Sequence, residues 1–133
     1  MIKEPESIDA GEEIPSLTKT AFMPYKPDER NAIHTDNYAK EFGMRGALIG
    51  GSTLLSYVLE MLYAYFGQNW LYHGQIKVSF IGGGAINGDV ITAHGLVTAI
   101  EEEVKGTRIK LDVWMVNNDQ SKILVGEASC IRL

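Results

Sequence analysis

A single cysteine, Cys130, stands in the whole sequence, so no disulfide can form within the chain, and a reducing compartment, the cytoplasm, is the expectation. Histidine is nearly as scarce: His34, His73 and His94 are the only three, and none is spaced with cysteine or acidic partners as a metal site requires. No metal and no other cofactor is expected, and His73 and His94 read as structural. Clustered positive charge is also missing. Lys and Arg number 12 against 17 Asp and Glu, a net charge of −5, whereas a nucleic-acid surface must neutralise phosphates. The longest apolar stretch, Leu54 to Phe66, is broken by Ser56 and Glu60 and is shorter than the roughly 20 residues a membrane span requires, so no membrane partner is expected. Met1 to Glu13 has neither the basic start nor the apolar stretch of a secretory signal.

What is present suits one ordinary domain, residues 1–133, of 45% hydrophobic and 22% charged residues. Pro15, Pro24 and Pro27 punctuate the early chain, so Ile14 to Met23 reads as a short strand followed by an irregular loop. Asp36 to Phe42 can form two helical turns stopped by Gly43. Gly50-Gly51-Ser52 opens a longer helix and Gly67 closes it, with Leu54, Val58, Met61, Leu62 and Tyr65 at helical spacing. Leu55, Leu59 and Phe66 widen the apolar surface almost all round, which predicts a helix enclosed by other structure.

Four alternating runs follow. Gln75 to Ile81 places Ile76, Val78 and Phe80 on one face, and Val90 to Ile100 places Ile91, Ala93, Gly95, Val97 and Ala99 on one face. Thr107 to Val116 sets Ile109, Leu111, Val113 and Met115 opposite Arg108, Lys110 and Asp112, and Lys122 to Leu133 is the last run. Turn residues at Gly82-Gly83-Gly84, Gly88-Asp89, Gly106 and Asn117-Asn118-Asp119 separate them at hairpin distances. The expected fold is α+β: a curled, mostly antiparallel sheet wrapped around one long buried helix, for which a hotdog is the simplest arrangement.

Chemistry concentrates in two stretches. In Glu29-Arg30-Asn31-Ala32-Ile33-His34-Thr35-Asp36, a carboxylate precedes a histidine by five residues. A histidine titrating near neutrality can orient or deprotonate water while a carboxylate manages a second proton. The same residues are also consistent with solvated loop charges at Asp28 and Glu29 and a capping role for His34. In Arg45-Gly46-Ala47-Leu48-Ile49-Gly50-Gly51, glycines run into the long helix, and uncovered amides at a helix start can hold a carbonyl oxygen as it gains charge. A plain glycine turn imposed by packing fits that stretch equally well. Tyr63, Tyr65, Phe66, Trp70 and Tyr72 gather near the helix end as core, as interface or as a bed for an acyl chain.

Asn31-Ala32-Ile33-His34-Thr35-Asp36, Phe42-Gly43-Met44-Arg45-Gly46, the glycine-led helix, Lys77-Val78-Ser79-Phe80 and Gly88-Asp89 together resemble the MaoC-like hydratase and dehydratase family over most of the chain. That resemblance implies a dimeric hotdog without metal or redox cofactor, acting on an acyl thioester of coenzyme A or of a carrier protein, with its site at the dimer interface. It implies catalytic roles for His34, Glu29, Asn31 and the Gly51 amide, beside which Gly50, Ser52 and Arg45 are the candidate substrate contacts; the charges of Arg45 and Lys77 suit phosphates and equally suit solvated surface. The sequence departs from the family pattern where Glu29 stands for aspartate, Pro27-Asp28 for Ser-Gly, Ala32 for proline and Gly50 for the histidine many members carry. The implied activity is reversible hydration of a 2-enoyl thioester. The alternatives are a catalytically silent hotdog that binds an acyl thioester or a protein partner, and an acyl-CoA thioesterase. A homodimer is expected independently, because an open sheet leaves strand edges that invite pairing.

Overall fold

The computed structural model describes residues 8–22 and 48–133. Helix α1, Gly51–Phe66, begins where Gly50 is still extended (φ −62°, ψ 146°) and ends where Gly67 turns to φ 65° and donates its amide to the Tyr63 carbonyl. Leu54, Val58, Met61, Leu62, Tyr65 and Phe66 form its buried face. Truncating one of these to alanine costs about 2–5 kcal/mol. Ser52, Ser56, Glu60, Tyr63 and Ala64 are exposed, so the helix is buried along one face rather than enclosed all round. The broad apolar pattern overstated the wrapping because Leu55 and Leu59, at the flanks, are only half-buried.

A short helix follows, α2, Gln68–His73, which burial of Trp70 holds in place. Its six residues are too few for a period to show in sequence, and His73 is its last residue. Trp70 stacks on Phe66, with ring centroids 6.4 Å apart, and Tyr65 meets Phe66 edge-on at 4.9 Å. The aromatic group near the helix end is therefore divided. Tyr65, Phe66 and Trp70 are core, whereas Tyr63 and Tyr72 face solvent.

Among the described residues five strands make one sheet: β1 Glu13–Thr20, β2 Gly74–Phe80, β3 Val90–Glu103, β4 Gly106–Val116 and β5 Lys122–Arg132. Their spatial order is β1-β3-β4-β5-β2, and every ladder is antiparallel. The sheet is open, with β1 and β2 at its edges, and α1 packs on the face built from Ile91, Ala93, Val97, Ile109, Leu111, Val113, Met115, Leu124 and Ala128. An antiparallel sheet packed on one long helix is the expected α+β hotdog arrangement.

One strand face departs from its sequence pattern. Val97 lies opposite Leu111 but Ala99 lies opposite Lys110, so Thr98 is an extra residue in a β-bulge. The Thr98 hydroxyl donates to the Lys110 carbonyl at 3.2 Å. The bulge reverses the phase of β3: Ile91, Ala93, Gly95 and Val97 face the helix, Ala99 pairs with the outward Lys110, and Ile100 pairs with the buried Ile109. Ala99 is thus not on the inner face, because strict alternation ends at Thr98.

Candidate active site

The start of α1 is the feature with chemical potential. The Gly50 carbonyl accepts the amides of Thr53 (3.0 Å) and Leu54 (3.2 Å), closing the first turn. Gly50 offers no side chain to cap that turn and none of the turn's residues is acidic, so among the described residues no side-chain acceptor is seen at the positive end of the helix for the amides of Gly51 and Ser52. Gly51 sits under the ring of Phe80 on edge strand β2, where a Cβ would stand 2.9 Å from Cζ and 3.0 Å from Cε2. A close approach, more than turn geometry, requires glycine there. Gly50, Gly51 and Ser52 are consecutive at this helix start, as the sequence pattern requires.

Backbone bonds from one loop set the position of these glycines. Ile49 donates its amide to the Ala85 carbonyl at 2.7 Å, and Leu48 forms an isolated antiparallel bridge with Ile86. Further along the same loop, the Ala21 amide reaches the Asp89 carbonyl at 2.7 Å and the Gly88 amide reaches the Ala21 carbonyl at 2.9 Å. The loop between β2 and β3 therefore binds the chain on both sides of residues 23–47. Glu29, Asn31, His34 and Arg45, together with Asp28 and the expected helix at Asp36 to Phe42, lie outside the described residues.

The loop is itself held by a buried polar pair. One Asp89 carboxylate oxygen accepts the Ile86 amide at 3.0 Å and the Asn117 side-chain amide at 2.9 Å. The same Asn117 nitrogen donates to the Gly84 carbonyl at 3.0 Å. Asp89 and Asn117 are only 5% and 7% exposed. In sequence Asn117 signalled a turn and Asp89 a turn within a family resemblance, and neither signalled a buried pair. Their burial is a tertiary fact, set by the approach of the β4–β5 turn to the β2–β3 loop.

Other sequence candidates lie elsewhere. Lys77 is on the outer face of β2 opposite Glu127 and lines a groove of about 490 Å³ with Lys110 and Asp112, on the sheet face away from α1. His94 stacks on Trp114 at 5.3 Å, within the sheet. Cys130 is fully buried and burial pushes its thiol up to about 11, so it is not a nucleophile near neutrality. Among the described residues no group of three or more His, Cys, Asp or Glu side chains is placed to hold a metal ion.

No family model matches the sequence and no curated protein matches it. Solved structures do. The chain is similar to an unliganded R-hydratase from Pseudomonas aeruginosa, with a TM-score of 0.72, 15% identity, and coverage of 95% of this chain and 83% of the other. An (R)-hydratase from A. caviae involved in PHA biosynthesis matches with a TM-score of 0.69 and 17% identity over 96% of this chain and 99% of the other. A MaoC-like dehydratase from Rhodospirillum rubrum matches at 0.70 and 11% identity, with 97% of each chain covered. At these identities the likeness is one of architecture, and the chain thus has the MaoC-like hotdog fold of these hydratases and dehydratases.

Proposed function

We propose that the chain is a hydratase or dehydratase that interconverts a 2-enoyl and a 3-hydroxyacyl thioester of coenzyme A or an acyl-carrier protein, in the cytoplasm. The observation that carries this reading is the glycine-led start of α1, where Gly50 provides no side-chain cap, in a fold shared with hydratases and dehydratases. In hydration, water oxygen adds to C3, a proton is delivered to C2, and charge develops on the thioester oxygen in between. The Gly51 amide, flanked by Gly50 and Ser52, donates to that oxygen. A single preorganised donor of this kind is worth about 3–4 kcal/mol of barrier. His34 deprotonates and orients the water, Glu29 manages the second proton, Asn31 supports the pair and Arg45 meets the phosphates of the carrier.

The active unit in this reading is a homodimer. Strand β2 pairs only with β5 among the described strands, Ile76 and Val78 are half-buried, and Phe80 is 51% exposed beside Gly51. A second copy docking on this edge covers them and closes the site. Static light scattering at micromolar concentration tests it, and a monomer counts against it.

The activity test is a panel of enoyl thioesters. Loss of the conjugated absorbance without release of free thiol is hydration. Release of thiol is hydrolysis, which replaces this reading with a thioesterase. His34→Ala lowers turnover about 100-fold to 10,000-fold with little change in stability. The substitution of glutamate at position 29 for the aspartate of the resembling family favours one second reading, a silent hotdog that binds thioesters. Binding without turnover across the panel establishes it.

A further inference from the structure

We infer that Asp89 and Asn117 are positioning residues, a buried clamp that sets where the α1 start stands and, with it, the aim of the Gly51 amide. The inference rests on the carbonyl-binding role proposed for that amide. The links are short and continuous. The Asn117 side chain holds the Gly84 carbonyl and the Asp89 carboxylate, and the carboxylate holds the Ile86 amide. Ile86 bridges to Leu48, and Ala85 accepts the Ile49 amide one residue before the helix cap. The Asp89 backbone holds Ala21 through its carbonyl.

Burying a carboxylate is unfavourable unless donors compensate it, and charge-assisted bonds are about twice as strong as neutral ones. A turn that needed only closure has no use for a carboxylate at 5% exposure. What this carboxylate does is tie one loop to the β4–β5 turn while that loop carries, on its other side, both ends of the chain flanking residues 23–47 and the glycines of the helix start. Reaction geometry is sensitive at this scale, since a displacement of about 1 Å costs on the order of 100-fold in rate.

Amide hydrogen exchange followed by NMR tests the clamp without needing activity. In Asp89→Ala the amides of Ile86, Ile49, Thr53 and Leu54 exchange at least ten-fold faster, while those of Leu111 and Val113 in β4 and Leu62 in α1 keep their rates. Asp89→Asn, which retains an acceptor oxygen, restores protection at Ile86 and Ile49. Should Asp89→Ala fail to fold, Asn117→Ala shows the same local pattern. Equal acceleration at every site, or no change at the helix start, overturns the inference. Where wild type turns over an enoyl thioester, Asp89→Ala also lowers kcat at least ten-fold with KM changed less than three-fold. Exchange that moves as expected beside an inactive wild type preserves the clamp and removes the hydratase reading. Unmoved exchange beside an active wild type does the reverse.

Discussion

Gly51 and Phe80 meet so closely that a methyl group at position 51 would stand 2.9 Å from Phe80 Cζ. The atoms met are the far end of a side chain that is half-exposed in the single chain, so Gly51→Ala costs about 1 kcal/mol of stability, the low end for overpacking. Phe80→Ala in the same chain removes the conflict, and the double-mutant cycle by urea denaturation gives a coupling of at least about 0.5 kcal/mol. In the proposed hydratase, turnover of an enoyl thioester falls at least ten-fold in Gly51→Ala and does not return in the double variant, because the methyl crowds the proposed donor whether or not the ring is present.

The second close approach is inside the core. A Cβ at Gly95 would lie 2.9 Å from both Ile14 Cδ1 and Cγ1 and 3.5 Å from Met61 Cε. Gly95 and Ile14 are paired across β3 and β1, so neither backbone can retreat without loss of ladder bonds. Gly95→Ala destabilises by about 1–3 kcal/mol in chemical denaturation. Combining it with Ile14→Ala, which removes both atoms, costs less than the two single changes added together.

Alkaline pH loosens the same core. Burial raises Cys130 from the ordinary 9.0 to about 11, and burial also raises Tyr65 above 10.0, against an opposing pull from Arg132. Groups whose pKa is raised by folding hold more protons in the native state, so stability is fully present below pH 9 and declines as pH climbs through the folded values. Urea midpoints are therefore flat from pH 7 to 9 and fall from 9 to 11. Cys130→Ala flattens the first part of that fall and Tyr65→Phe the later part.

The carboxylate proposed to act with His34 is testable by isosteric change. Glu29→Gln keeps shape and removes charge, and it lowers enoyl-thioester turnover about 100-fold or more, whereas Asp28→Asn leaves the rate within about two-fold. A rate that falls with His34→Ala and is unmoved by both amide substitutions removes the proposed dyad.

Periodicity made most of the architecture readable. Leu54 to Phe66 repeats at 3.6 residues and Ile109 to Met115 at two, and those segments are the buried face of α1 and the inner face of β4. Signals shorter than a period were lost: α2 is six residues long, and the bulge at Thr98 is one residue, enough to turn Ala99 outward. The helix start was legible because Gly50-Gly51-Ser52 stands directly before the apolar period that begins at Leu54. The pairing of Asp89 with Asn117 was not legible, since the bond joining them spans 28 positions. No local pattern encodes such a contact.

The strand order also sets a timetable. Ribosomal synthesis adds roughly 5–20 residues per second, so α1 is complete several seconds before β5, and β1 precedes by a longer interval the β3 partner that pairs Glu13 with Leu96. During that time Leu54, Val58 and Met61 have no sheet to cover them. The last strands made, β4 and β5, are the interior of the sheet, and its edges are the first and second strands synthesised. A nascent chain of this topology therefore carries the apolar face of α1 with β1 alone of its sheet partners until β3, β4 and β5 have been made.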